Sequence, residues 1–285
     1  MSSEEEPKDV DIPDQFDVKY IEMSDGAKLR CLSYNPDEPK GYVLMYPGMN
    51  TVVLSWIRVL EGLSEANYHI DYVESREKHT SKLQKDDQIT RERMILDCEE
   101  AIAKLGFKEQ HYIVIGSSLG STTLVHNMAK GAISPDYAVL VGPSTHFTVP
   151  FGIRILMPFV TKFTYEKIGL PIIKKIALRK FTNEDADPKQ KEKYSLALDL
   201  ANPIKLKTTL KEWSGNKIWD DLPKIDGQKS ICILIGASED KLHPDEETRA
   251  VADAINNSKF IDLKTNTAAH DKPLIDMIKE FEFSS

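Results

Sequence analysis

Cysteine is scarce in this chain: Cys31, Cys98 and Cys232 are the only three among 285 residues, and no two have Cys-Xaa-Xaa-Cys spacing. That excludes a zinc ribbon or a dithiol redox motif and fits thiols kept reduced in a cytosolic compartment. Cys31 and Cys232 fall in apolar, strand-like runs and read as small core residues. A basic excess is missing too. Lys and Arg number 37 against 45 Asp and Glu, a formal net charge of -8, so the electrostatic footprint of a nucleic-acid binder is absent. Long hydrophobic runs are also lacking. The longest stretch without Asp, Glu, Lys or Arg surrounds Gly116 and Gly120, and its glycines, serines and threonines mark a sheet core and not a bilayer span. The opening Met1-Ser2-Ser3-Glu4-Glu5-Glu6 has neither the basic residues nor the apolar run of a secretory signal. The expectation is a cytoplasmic protein with a disordered acidic stretch over residues 1–15 and no internal repeat.

What is present is an alternation of short apolar runs with helical patterns. Strands are expected near Phe16 to Tyr20, Ala27 to Tyr34, Gly41 to Tyr46, His69 to Val73, Tyr112 to Ile115, Tyr137 to Val141, Ser230 to Ile235 and Lys259 to Leu263. Helices are expected near Val53 to Ala66, Gln88 to Leu105, Ser121 to Lys130, Pro244 to Asn256 and Pro273 to Phe281. Strand then helix, repeated, predicts an α/β fold: a mostly parallel eight-stranded sheet covered on both faces. The chain between Val141 and Ser230 is far longer than one crossover helix requires. The domain reading is therefore a core in two parts, residues 16–143 and 217–285, with a helical insertion at 144–216.

Gly116-Ser117-Ser118-Leu119-Gly120 joins a buried strand to a helix. Gly-Xaa-Ser-Xaa-Gly in that setting is the nucleophile elbow, in which small residues let strand and helix approach while the serine Oγ stands exposed above the sheet. Ser118 is the candidate nucleophile; Ser117 and Ser121 have the plainer reading of helix caps. After the strand that ends at Ile235, Gly236-Ala237-Ser238-Glu239-Asp240 is a turn carrying acids, and Asp240 is the candidate triad acid, with Glu239 as competitor. His270 follows the last strand, just before the closing helix, and is the candidate base; His243 lies too close to Asp240 for that role. Serine, then acid, then histidine is one of the known chain orders of a serine triad.

These residues resemble the α/β-hydrolase superfamily from about Asp17 to Phe283, in particular its lysophospholipase or monoacylglycerol-lipase-like and serine aminopeptidase-like subgroups. The resemblance implies an α/β-hydrolase fold with an inserted cap. It also implies an oxyanion hole made by the backbone amides of Met49 and Leu119, with no metal and no cofactor. Two departures stand out. Pro47 occupies the place of the family's histidine before Gly48, and Glu74-Ser75-Arg76-Glu77-Lys78-His79-Thr80-Ser81 replaces a segment that carries two glycines in relatives. Asn50, Arg76, His146 and Phe151 are the candidate pocket residues.

Inside the insertion, the apolar residues of Phe151 to Phe181 alternate with Arg154, Lys162, Lys167, Lys174, Lys175, Arg179 and Lys180, opposed only by Glu166. Ile172, Ile173, Ile176 and Ala177 share one helical face. One reading is an apolar acyl tunnel with a basic rim suited to anionic lipid or a membrane surface; the other is an amphipathic cap helix packed over the core, its lysines in water. The expected function is a serine hydrolase acting on a small-molecule acyl substrate: a carboxylester, monoacylglycerol or lysophospholipid. A thioester with an anionic carrier and a peptide whose amine meets Glu74 or Glu77 stay open, as does a binding protein on the same fold. The oligomeric state is not legible.

Overall fold

The computed structural model describes residues 11–84, 88–148, 154–155, 157–182, 187–240 and 245–281. Eight strands form one sheet in the order β1-β2-β4-β3-β5-β6-β7-β8. They are β1 Asp17–Glu22, β2 Lys28–Tyr34, β3 Tyr42–Tyr46, β4 His69–Val73, β5 Tyr112–Ser117, β6 Tyr137–Val141, β7 Ile231–Gly236 and β8 Ser258–Asp262. The first two pairings, β1 with β2 and β2 with β4, are antiparallel; every later pairing is parallel. All eight expected strands are present: two match their expected bounds and the others differ by at most two residues at an end.

Parallel strands covered on both faces need apolar side chains on both, and the strands supply them at period two. Leu44, Tyr46 and Val114 belong to one core with Cys98 and Ile102 of α2 (Arg91–Lys104) and Leu124 and Val125 of α3 (Leu119–Ala129). Val43, Met45, Ile113 and Ile115 join Leu60 and Leu63 of α1 (Ile57–Glu65) and Leu274 and Ile278 of the closing helix (Lys272–Lys279) on the other side. The three cysteines are buried and unpaired.

Between β6 and β7 the chain forms α4 (Leu170–Phe181), α5 (Pro188–Leu200) and α6 (Pro203–Trp213). Two of them start on the same local chemistry. The Asp187 side chain accepts from the Gln190 amide, and that of Asn202 from the Ile204 and Lys205 amides, while Pro188 and Pro203 occupy first-turn positions where no amide hydrogen is needed. After β7, α7 covers Asp245–Ala254, and the closing helix is α8.

The strand order sets the site. From β3 the chain crosses to β4 on one side, and from β4 it returns to β5 on the other. The carboxyl ends of β3 and β5 therefore flank a topological switch point, where the loops diverge and leave a crevice.

Candidate active site

Ser118 stands at the end of β5 with φ 46° and ψ -115°. A positive φ costs an ordinary residue energy and persists only where its surroundings impose it. Here the glycines impose it by letting the backbone come close. A Cβ on Gly120 would lie 1.9 Å from the Tyr46 carbonyl oxygen, and one on Gly116 would lie 2.7 Å from the Ser121 nitrogen. The Ser118 amide donates to the Val141 carbonyl at 2.8 Å, and its Oγ lies 3.4 Å from Ser144 Oγ. The loop after β3 is held to the elbow: the Gly48 amide donates to Ser117 Oγ at 3.0 Å. A Cβ on Gly48 would come within 3.2 Å of Ser118 Cβ, so the Met49 backbone passes beside the serine.

Asp240 leaves the loop after β7 and His270 a short 3-10 turn, Ala268–His270; each is 7% exposed. Asn266 ties them together. Its side-chain amide donates to Asp240 Oδ2 at 2.9 Å, and its backbone carbonyl lies 2.8 Å from His270 Nδ1. A carbonyl only accepts, so this contact assigns the Nδ1 position a hydrogen and leaves Nε2 as the acceptor of the neutral ring. The ring also packs edge-on against Trp56, with centroids 4.3 Å apart. Gln190 of α5 donates to Asp240 Oδ1 at 3.2 Å, and Asp187 accepts from the Thr267 amide at 2.7 Å and from its hydroxyl at 2.6 Å. The insertion is thereby stapled to both loops. Ser118, Asp240 and His270 line a single cavity of about 220 Å³, with Met49 and Asn50 at one side and Lys193, Tyr194, Ala197 and Leu198 of α5 at another.

Solved structures of other proteins share this architecture. A hydrolase from Pseudomonas aeruginosa superposes with a TM-score of 0.75 at 15% identity, covering 92% of this chain and 96% of that one. An enol-lactonase from Burkholderia xenovorans gives 0.74 at 14%, covering 92% and 97%. A thermophilic esterase from Thermogutta terrifontis gives 0.73 at 17%, covering 93% and 97%. This chain has the α/β-hydrolase fold. No protein-family model and no curated protein sequence matches it, and identities this low speak for the fold alone.

Within the α/β-hydrolase fold the other expected site residues fall as follows. Asn50, with φ 53°, lines the cavity, and its side chain donates to the Ala197 carbonyl at 2.8 Å. Met49 also lines it. The Met49 and Leu119 amides have no acceptor among the described residues, whereas the neighbouring Gly48, Asn50 and Ser118 amides each donate. Glu239 is exposed and outside the lining, unlike Asp240. Phe151 and His243 lie outside the described residues.

Arg76 is a correction. It does not reach the cavity; its fully buried guanidinium grips Asp97 through two bonds of 2.5 Å and Asp25 at 2.9 Å. Burial opposes its charge, but these carboxylates win and push its pKa up. His146 is exposed and pairs with Thr145 Oγ1 at 3.1 Å, away from the cavity. Glu74 and Glu77 are used internally too, in ion pairs with Arg30 at 2.9 Å and Lys78 at 3.0 Å. Asp240 is the one carboxylate in the lining among the described residues.

Among the described residues, the apolar face of α4 lines no part of the cavity. The buried Tyr165 hydroxyl donates to the Leu198 carbonyl at 2.9 Å, and Lys174 pairs with Asp199 at 2.6 Å. These contacts seat α4 on the outer side of α5 and turn Ile168, Ile172 and Ile176 outward, each more than half exposed. The cavity wall comes instead from α5, whose Lys193, Tyr194, Ala197 and Leu198 recur at helical spacing. That spacing was in the sequence, but nothing local says which way the face points. Burial draws the Lys193 ammonium down in pKa, against the pull of Asp187 and Asp271, and Lys193 makes no ion pair with a described residue. Among the described residues no cluster of His, Cys, Asp and Glu could hold a metal ion, and no helix is long and apolar enough to cross a membrane.

Proposed function

We propose that this chain is a serine hydrolase that cleaves a carboxylic ester through an acyl-enzyme. The observation that carries the reading is Ser118, held at φ 46° between two glycines that admit no Cβ, in one cavity with Asp240 and His270. His270 Nε2 takes the Ser118 proton as Oγ attacks the acyl carbonyl, then returns it to the leaving alcohol. Water, deprotonated by the same nitrogen, releases the acid. Asp240 orients the ring and stabilises the imidazolium, working with Asn266, which holds both groups. The Met49 and Leu119 amides receive the oxyanion; one such donor contributes about 3 kcal/mol to the transition state.

Ala197 and Leu198 of α5, facing the cavity with Val141, Ile235 and Ala269, suit an acyl chain. The likeness to an esterase and an enol-lactonase supports ester chemistry, and with Glu74 and Glu77 consumed in ion pairs the peptidase reading loses its amine anchor. Lys193 favours a second reading, a thioester or ester bearing an anionic group. Exposed Ile168, Ile172 and Ile176, beside exposed Lys175 and Arg179, support peripheral contact with an anionic lipid surface. The buried free thiols support a cytoplasmic setting.

The test is labelling by a fluorophosphonate probe, wild type beside Ser118→Ala, followed by hydrolysis of p-nitrophenyl esters from acetyl to palmitoyl. Labelling and turnover that both vanish in the variant are expected. A folded wild type that neither labels nor turns over would leave a binding protein as the better reading.

A further inference from the structure

Met49 lies between two peptide groups, and a buried charge holds each. The Gly48 carbonyl is part of the same peptide unit as the Met49 amide hydrogen, and it accepts from the Lys78 ammonium at 2.5 Å. On the other side the Asn50 amide donates to Glu77 Oε1 at 3.2 Å. Lys78 and Glu77 pair with each other at 3.0 Å and are 5% and 3% exposed. Burial would push the Glu77 carboxyl up; the Lys78 charge, with hydrogen bonds from Ser75 and Lys78, outweighs it and holds the group below its usual range, so it is a carboxylate. From α6, Lys205 donates to the carbonyls of Lys78 at 2.8 Å and Ser81 at 2.6 Å, which fixes the segment that carries the pair.

We propose that Lys78 and Glu77 are positioning residues that aim and polarise the Met49 amide as an oxyanion donor. The proposal rests on the Ser118 reading above. A cation on a peptide carbonyl draws electron density toward the oxygen and strengthens the N–H of that same unit as a donor, and a low-dielectric interior does not screen the effect. The gain is largest when the acceptor carries full negative charge, so it falls on the transition state and not on bound substrate. Glu77 balances the ammonium and pins the next peptide unit, where Asn50 has φ 53°. Pro47 has no side chain able to hold this loop, and Lys78 reaches it from the segment after β4.

The experiment uses the full-length chain with Lys78→Met, assayed on p-nitrophenyl butyrate and against an aryl trifluoromethyl ketone, whose serine adduct is a tetrahedral oxyanion. Expected are a kcat about 10- to 100-fold lower, a KM within about twofold of wild type, and ketone affinity weakened by the same factor as kcat. Lys78→Gln, which keeps a neutral donor, should recover part of the loss. If Lys78→Met does not fold by circular dichroism, Glu77→Leu/Lys78→Met replaces it, since removing both charges strands neither, and the same outcomes apply. A folded variant with kcat within about threefold of wild type, or with a loss that appears in KM and leaves the ketone affinity unchanged, would overturn the proposal. Fluorophosphonate labelling of wild type tests Ser118 separately, so the two failures are distinguishable.

Discussion

Replacing Gly120 by alanine tests the elbow at its tightest point. The new Cβ would lie 1.9 Å from the Tyr46 carbonyl oxygen, 2.7 Å from the Pro47 carbonyl oxygen and 2.9 Å from the Tyr46 carbonyl carbon. All three are backbone atoms, so no side chain can swing aside. Restoring a separation of 3.0 Å requires a shift of about 1.1 Å, the difference between 3.0 and 1.9 Å, at the end of β3, where Tyr46 pairs with Gly116. Overpacking typically costs about 1–3 kcal/mol, and a clash against paired backbone belongs at or above the top of that range. The same shift carries Pro47 to Met49 away from Ser118, and a misplacement of about 1 Å can cost about 100-fold in rate. Gly131→Ala is the control: its φ is 67°, but nothing lies within 4 Å of the added Cβ, so only backbone strain of about 1 kcal/mol is expected. Urea unfolding followed by tryptophan fluorescence gives the stabilities, and p-nitrophenyl butyrate hydrolysis without urea gives the rates. The reasoning is refuted if Gly120→Ala is no less stable than Gly131→Ala and keeps its activity within about threefold.

Stability should decline as the pH is lowered from about 7 to about 5. His79 and His126 both have pKa values lowered by burial, in His126 against the pull of Asp221. The unfolded chain therefore binds their protons first, and acid favours it; His126→Asn should flatten the urea-midpoint profile in that window. Below about pH 4 a second decline is expected, as the depressed carboxyls of Asp25, Asp71 and Glu77 take up protons and lose their partners. Lys193→Met should raise KM for an ester bearing a carboxylate by about tenfold and leave a neutral ester of equal length unchanged; equal effects on both would remove Lys193 from substrate recognition. Ile168→Ser/Ile172→Ser/Ile176→Ser should abolish co-sedimentation with vesicles containing phosphatidylserine while hydrolysis of a water-soluble ester persists. A wild type that ignores the vesicles and forms dimers in solution would instead assign that face to a second copy.

The strands were legible because strands buried on both faces are dominated by apolar residues: Tyr137 to Val141 is apolar throughout, His69 to Val73 is apolar but for His69 and Asp71, which pair with each other, and both match their observed bounds residue for residue. The elbow was legible because its requirements are local: two glycines and a serine within five residues. The starts of α5 and α6 were written in Asp187-Pro188 and Asn202-Pro203, each an N-cap followed by a first-turn proline, and that signal was available without any fold.

What the sequence by itself determined is the α/β alternation, the turn chemistry at Ser118 and the chain order of Ser118, Asp240 and His270. Only the tertiary structure decided which charges are spent on holding the molecule together. Arg76 and Glu77 read as pocket chemistry in one dimension, yet Asp97 and Lys78 claim them, because a buried charge must find a partner wherever the chain brings one. Only the fold, too, turned Ile172 outward and Lys193 inward, since the direction of a helical face is set by what packs on it and not by the residues it carries.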